Sequence, residues 1–163
     1  MRRLLQFESD AKFFDIFGEA FVKSFYAHNP GWDLYVADLG LTEGQRKQLQ
    51  LYGTVKEYPV DPCRRWTNLT ARIYSLYDII RPNTIVMRAD VDGIVCRSYE
   101  PLVQEFIDGN YGAFGMQLPY PLARRARHVV KAAELLDVPI DSPPIQDNAI
   151  SAAFMILTGV PKV

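Results

Sequence analysis

Short apolar runs alternate with longer stretches of helical period along the first two thirds of the chain. Leu4 to Phe7 reads as a strand, and Ser9 or Asp10 stands where a cap would open the helix that follows. Along that helix Phe13, Phe17, Phe21 and Phe25, with Phe14 on the flank, recur at helical spacing and predict a core face. Asn29-Pro30 stops it. Leu34 to Ala37 is a second strand, ending in Asp38, Leu39 and Gly40, and Thr42-Glu43-Gly44-Gln45 is a capping box that opens a helix running to about Tyr52. Thr54 to Tyr58 predicts a third strand. After a Pro-rich loop holding Asp61, Pro62 and Cys63, a helix is expected from about Thr67 to Ile80, with Leu69, Ile73, Leu76, Tyr77 and Ile80 on one side.

Pro82-Asn83 ends that helix, and the next run is the most informative. Four of the five residues from Ile85 to Ala89 are apolar, as in a strand covered on both faces, and the run stops at two carboxylates spaced as Asp-x-Asp, Asp90 and Asp92. In open α/β sheets ligands sit beyond the carboxyl ends of the strands. Two hard oxygen donors there suit a Mg²⁺ or Mn²⁺ that also holds a phosphate. The alternative is a turn in which one aspartate caps and the other is solvated. A helix from about Tyr99 to Ile107 and a strand from Tyr111 to Gln117 follow. Pro119 to Leu136 reads as helical after its first residues, with Arg124, Arg125, Arg127, His128 and Lys131 as its basic part. Ala149 to Leu157 is an apolar run that periodicity leaves open between strand and helix, and helix is the reading favoured here. The alternation predicts an α/β domain, a mostly parallel central sheet with helices on both faces, over the single span 1–163.

Composition narrows the function classes. With 163 residues, 48% apolar and 23% charged, the chain can bury one sizeable core. A net charge of -1 argues against a nucleic-acid binder that works through a basic surface. No apolar run is long enough for a membrane span, and Met1-Arg2-Arg3-Leu4-Leu5-Gln6-Phe7-Glu8 reaches an acid too early for a signal peptide, so the expected location is cytoplasmic. Cys63 and Cys96 have no metal-ligand spacing and read as reduced thiols; Asn68-Leu69-Thr70 is a sequon that reads as a piece of helix.

Four segments in order carry a resemblance. Glu8-Ser9-Asp10-Ala11-Lys12-Phe13-Phe14, leading into Ala20 to Pro30, is one; Leu34 to Thr42 is the second; Leu69-Thr70-Ala71-Arg72-Ile73-Tyr74 is the third; Asp90-Val91-Asp92-Gly93-Ile94-Val95 is the fourth. Together they resemble the GT-A class of glycosyltransferases, the nucleotide-diphospho-sugar transferase fold, in the branch of glycogenin and the bacterial lipopolysaccharide galactosyltransferases. The likeness covers about residues 3 to 110. It implies a single Rossmann-like domain that moves a sugar, of hexosyltransferase type, from a nucleotide-diphosphate donor, UDP-sugar favoured, to an unknown acceptor. It implies Asp90 and Asp92 as ligands of Mn²⁺ or Mg²⁺, and Phe7, Glu8, Ser9, Asp10 and Phe13 around the nucleoside, Phe13 stacking on the base. Arg72 would point to the donor site, where a guanidinium meets a carboxylate or a diphosphate oxygen; otherwise it is an exposed helix arginine. Gln146-Asp147-Asn148 is a loose match to a later acidic motif, which makes Asp147 the carboxylate for positioning the sugar or activating the acceptor, or else a helix cap.

Two departures stand out. Arg88 precedes Ala89-Asp90 inside a central strand and needs a partner. No histidine follows His128 to complete the metal, so the reading is either a truncated or minimal version, with Ala152 to Val160 as a domain cut in mid-core, or a metal completed by water and diphosphate. Asp90-Val91-Asp92-Gly93 also resembles the first motif of haloacid-dehalogenase-type phosphatases, with Asp90 as nucleophile and Lys131 and Asp137 to Asp141 as later motifs, although three strand-helix units precede it here. A nucleotide-sugar-binding domain without catalysis is the third possibility.

Overall fold

The computed structural model describes residues 1–58, 67–109, 113–121 and 148–159, and of residues 67–70, 113–121 and 148–155 the backbone alone. Its strands are β1 (Arg2–Ser9), β2 (Asp33–Asp38), β3 (Gly53–Glu57), β4 (Thr84–Ala89), β5 (Ala113–Pro121) and β6 (Asn148–Thr158). The helices are α1 (Ala11–Phe13), a π-helical turn (Phe14–Gly18), α2 (Glu19–His28), α3 (Glu43–Gln50), α4 (Thr67–Ile79) and α5 (Glu100–Asp108). The strands form one sheet in the order β3-β2-β1-β4-β6-β5. β3, β2, β1 and β4 are parallel neighbours, while β6 runs antiparallel to both β4 and β5. The expected mostly parallel α/β architecture is therefore what the chain adopts.

Local chemistry starts the helices where the sequence places them. Asp10 caps the first: its Oδ1 accepts from the Phe13 amide at 2.7 Å. The capping box is complete, with the Thr42 amide donating to Gln45 Oε1 at 2.8 Å and the Gln45 amide donating to Thr42 Oγ1 at 3.3 Å. Asn83 takes a positive φ of 63° between α4 and β4, a conformation that asparagine tolerates better than most residues.

Side chains alternate across the strands and build a core on each face. Leu5, Phe7, Leu34, Val36, Ile85 and Met87 pack with Phe14, Phe21, Phe25, Leu49, Val103 and Phe106. Leu4, Tyr35, Ala37 and Val86 pack with Ala71 and Ile79 of α4 on the other. Each large apolar side chain so buried contributes about 1.5–3 kcal/mol relative to exposure.

Three readings of the sequence need correction. Phe13 and Phe17 are 38% and 37% exposed and lie ring against ring, while Phe14, Phe21 and Phe25 are buried. A strict spacing of four drifts about 40° per step on an α-helix, so the series 13, 17, 21, 25 cannot hold one face. On α4, Ile73 and Tyr77 are exposed, and Ala71, Ser75 and Ile79 turn inward. That helix covers a strip of sheet holding Gln6, Glu8 and Arg88, so its inner face is partly polar. The apolar run from Ala149 to Leu157 is strand β6, not helix, because β4 and β5 offer hydrogen-bonding edges on both sides of it. Pro119 to Pro121 belong to β5; the rest of the helix expected to Leu136, with its basic residues, lies outside the described residues.

Candidate donor-binding cleft

The order of the sheet reverses beside β1, whose neighbours are β2 on one side and β4 on the other. A crevice opens at such a switch point, because the chain leaves adjacent parallel strands in opposite directions. The last residues of β1, Glu8 and Ser9, with Asp10 just after them, line one bank of it, and the loop after β4 carries Asp90 and Asp92 to the other. Asp38 fixes the third strand end by accepting from the Gly40 and Leu41 amides at 2.8 and 2.6 Å and pairing with Arg46.

Beneath the crevice the α4 face of the sheet carries a line of polar side chains. Gln6 and Arg88 are opposite one another on β1 and β4. Gln6 Nε2 donates to Ser75 Oγ at 2.9 Å, and that hydroxyl donates onward to the Arg72 carbonyl at 2.9 Å. Glu8 Oε1 accepts from Arg72 Nε at 2.7 Å and from Arg88 Nη2 at 2.6 Å. Asp90 Oδ1 is 3.3 Å from Arg72 Nη2 and also pairs with Arg88 Nη2. The Arg88 side chain is 1% exposed, which the desolvation of a guanidinium permits only with such partners. Arg72, at 20%, reaches the solvent-filled side.

The resulting cleft, about 250 Å³, is lined by Glu8, Ser9, Asp10, Phe13, Leu39, Arg72, Asp90, Val91 and Asp92. Seven residues expected at a donor site thus meet in one place. Phe7 does not: it is fully buried in the core, edge-on to Phe21, because strand alternation turns it to the face opposite Glu8. Asp147 lies outside the described residues. Leu39 and Val91 were missed; their only signal is their position just past the ends of β2 and β4. Asp10 serves as helix cap through Oδ1 while its exposed side chain lines the cleft.

Asp92 is exposed, and both guanidinium contacts to Asp90 fall on Oδ1, so Asp90 Oδ2 and the Asp92 oxygens are hard donors at one strand end. Glu8 Oε2 is buried without a hydrogen-bond partner in the same cleft. Among the described residues no group of three His, Cys, Asp or Glu side chains gathers at metal distance. The set fits a cation held by two carboxylates and completed by phosphate and water, the usual habit of Mg²⁺.

No family model matches the chain, and no curated protein matches it by sequence. Solved structures do. The galactosyltransferase LgtC, solved with donor and acceptor sugar analogues, superposes with a TM-score of 0.61 at 16% identity, over 96% of this chain and 57% of its own. The chain has a GT-A fold. Mouse xyloside xylosyltransferase 1 gives 0.57 at 11% identity, over 96% of this chain and 66% of its own, and the bifunctional glycosyltransferase WbbM gives 0.60 at 12%, over 97% and 31%. This GT-A chain spans little more than half the length of LgtC. Among its described residues no helix is long and apolar enough to cross a membrane.

Proposed function

We propose that the chain binds a nucleoside-diphosphate sugar in the cleft between β1 and β4 and transfers the sugar, as a hexosyltransferase using UDP-sugar, with Mn²⁺ or Mg²⁺ on Asp90 and Asp92. The observation that carries this reading is the convergence of Glu8, Asp10, Arg72, Asp90 and Asp92 at the switch point of a fold shared with glycosyltransferases. A bound cation would supply Lewis-acid stabilisation of the departing diphosphate. Arg72 is exposed enough to meet a phosphate oxygen, and Glu8 orients it by holding Nε. Phe13, half-exposed on the cleft wall, offers a face for the base, and Asp10 an acceptor for ribose or base donors. Asp147 is the proposed carboxylate toward the sugar or acceptor, and the cytoplasm the proposed site of action.

Thermal denaturation across a panel of nucleotides and nucleotide sugars, each with and without Mn²⁺, tests the reading. UDP with Mn²⁺ should raise the melting temperature most, since a ligand bound by the folded state alone stabilises it by mass action. No response to any nucleotide would remove the proposal. Turnover of the donor, by transfer or hydrolysis, separates a transferase from a domain that only binds. The phosphatase reading has less support, since Asp90 Oδ1 is held by two guanidiniums; a covalent phosphate mimic trapped on Asp90 would restore it.

A further inference from the structure

Four charged side chains interlock at the cleft, Glu8 and Asp90 against Arg72 and Arg88, and exposed Asp92 lines it beside them. The two arginines differ in their freedom. Arg72 comes from α4, keeps a fifth of its side chain exposed and lines the cleft, so it can exchange a carboxylate for a phosphate. Arg88 comes from within β4, between β1 and β6, with its side chain 1% exposed. It bridges Glu8 to Asp90 from that buried position. A cation approaching Asp90 therefore meets a permanent positive charge already in contact with that carboxylate, and Coulomb repulsion in a part-buried site is several times stronger than in water.

We propose that Arg88 is a positioning residue that fixes Asp90 and holds down the affinity of the cleft for a divalent cation, so that cation and nucleoside diphosphate bind well only together. This rests on the donor-cleft reading above. The diphosphate supplies the negative charge that balances the cation and draws Arg72 away from Asp90 Oδ1, while Arg88 stays in place. Cation and nucleotide are then coupled, each raising the affinity for the other by the same factor.

The test is Mn²⁺ binding to the full chain, followed by the loss of the free-ion electron paramagnetic resonance signal, with and without UDP. For the wild type, Mn²⁺ alone should bind weakly and UDP should tighten it. Arg88→Met should tighten Mn²⁺ alone by about tenfold or more, as when one of two cations beside a carboxylate is removed, and should shrink the effect of UDP. Arg88→Lys, which keeps the charge, should stay near the wild type. Since Arg88→Met leaves Glu8 with one guanidinium in place of two, the double variant Glu8→Gln/Arg88→Met, of unchanged net charge, serves if the single variant does not fold; it too should bind Mn²⁺ alone more tightly. Unchanged Mn²⁺ affinity in the folded variant, with binding still abolished by Asp92→Asn, overturns the role of Arg88 and leaves the cleft reading intact. No saturable Mn²⁺ or UDP binding in any form overturns both.

Discussion

Arg72 Nη2 stands 3.3 Å from Asp90 Oδ1, across eighteen residues of sequence and from a helix to a strand end. The same guanidinium is anchored by Glu8 through Nε, so its direction into the cleft is set by β1 while its charge serves β4.

Arg72→Ala should weaken UDP binding in the presence of Mn²⁺ by roughly tenfold or more, on the scale of about 1.5–3 kcal/mol for a charge-assisted hydrogen bond. Titration calorimetry reads it. Unchanged nucleotide affinity would leave Arg72 as a structural partner of Glu8 and nothing more.

Asp92 is exposed past the end of β4, outside both cores. Asp92→Asn should therefore keep the melting temperature of the nucleotide-free protein and lose the extra stabilisation that Mn²⁺ gives with UDP. A variant that melts lower but still responds to Mn²⁺ with UDP would show that the carboxylate works in the fold rather than in the site.

Ser75→Ala removes the acceptor of Gln6 Nε2 on the inner face of α4, where both residues have no exposed surface. A buried donor left unsatisfied costs about 1–3 kcal/mol, and the urea midpoint should fall accordingly with an unchanged slope. An unaltered midpoint would mean that Gln6 finds another partner.

Asp78 pairs with Lys56 at 2.6 Å and accepts from Tyr58, whose hydroxyl is 2.8 Å from that of Tyr35. The Lys56 hydrogen bond first, then that of Tyr58, holds the Asp78 carboxyl below its ordinary 3.8. Its folded value being the lower one, this group contributes stability above about pH 4 that is lost as the pH falls through the folded value. Asp78→Asn should flatten that part of the acid limb in melting temperatures taken from pH 6 downwards. The effect is modest, because the pair is half-exposed and screened. Parallel acid limbs in the two proteins would contradict it.

Gly53 approaches β2 so closely that an added Cβ would lie 2.1 Å from the Leu34 carbonyl oxygen. Gly53→Ala should push β3 off the sheet edge and cost about 1–3 kcal/mol, as overpacking does, in chemical denaturation. A neutral effect would mean that this edge strand shifts freely.

What depends on neighbours within a few residues is legible along the chain. The strand and helix periods, the Asp10 cap, the Thr42–Gln45 box and the apolar run that breaks at Asp90 all express contacts of short range, and each is present in the structure near its expected place. What depends on which strand lies beside which emerges once the sheet is assembled. Arg88 looked like a charge in the wrong place until β1 was set against β4, which brought Glu8 to it across eighty residues. The inner face of α4 could not be chosen by counting apolar positions, because the sheet beneath it carries Gln6, Glu8 and Arg88 and asks for Ser75 and Arg72 in return. The run that became β6 is equally apolar as helix or strand. Its state was set by the open edges of β4 and β5, whose unpaired backbone groups no local pattern along the chain records.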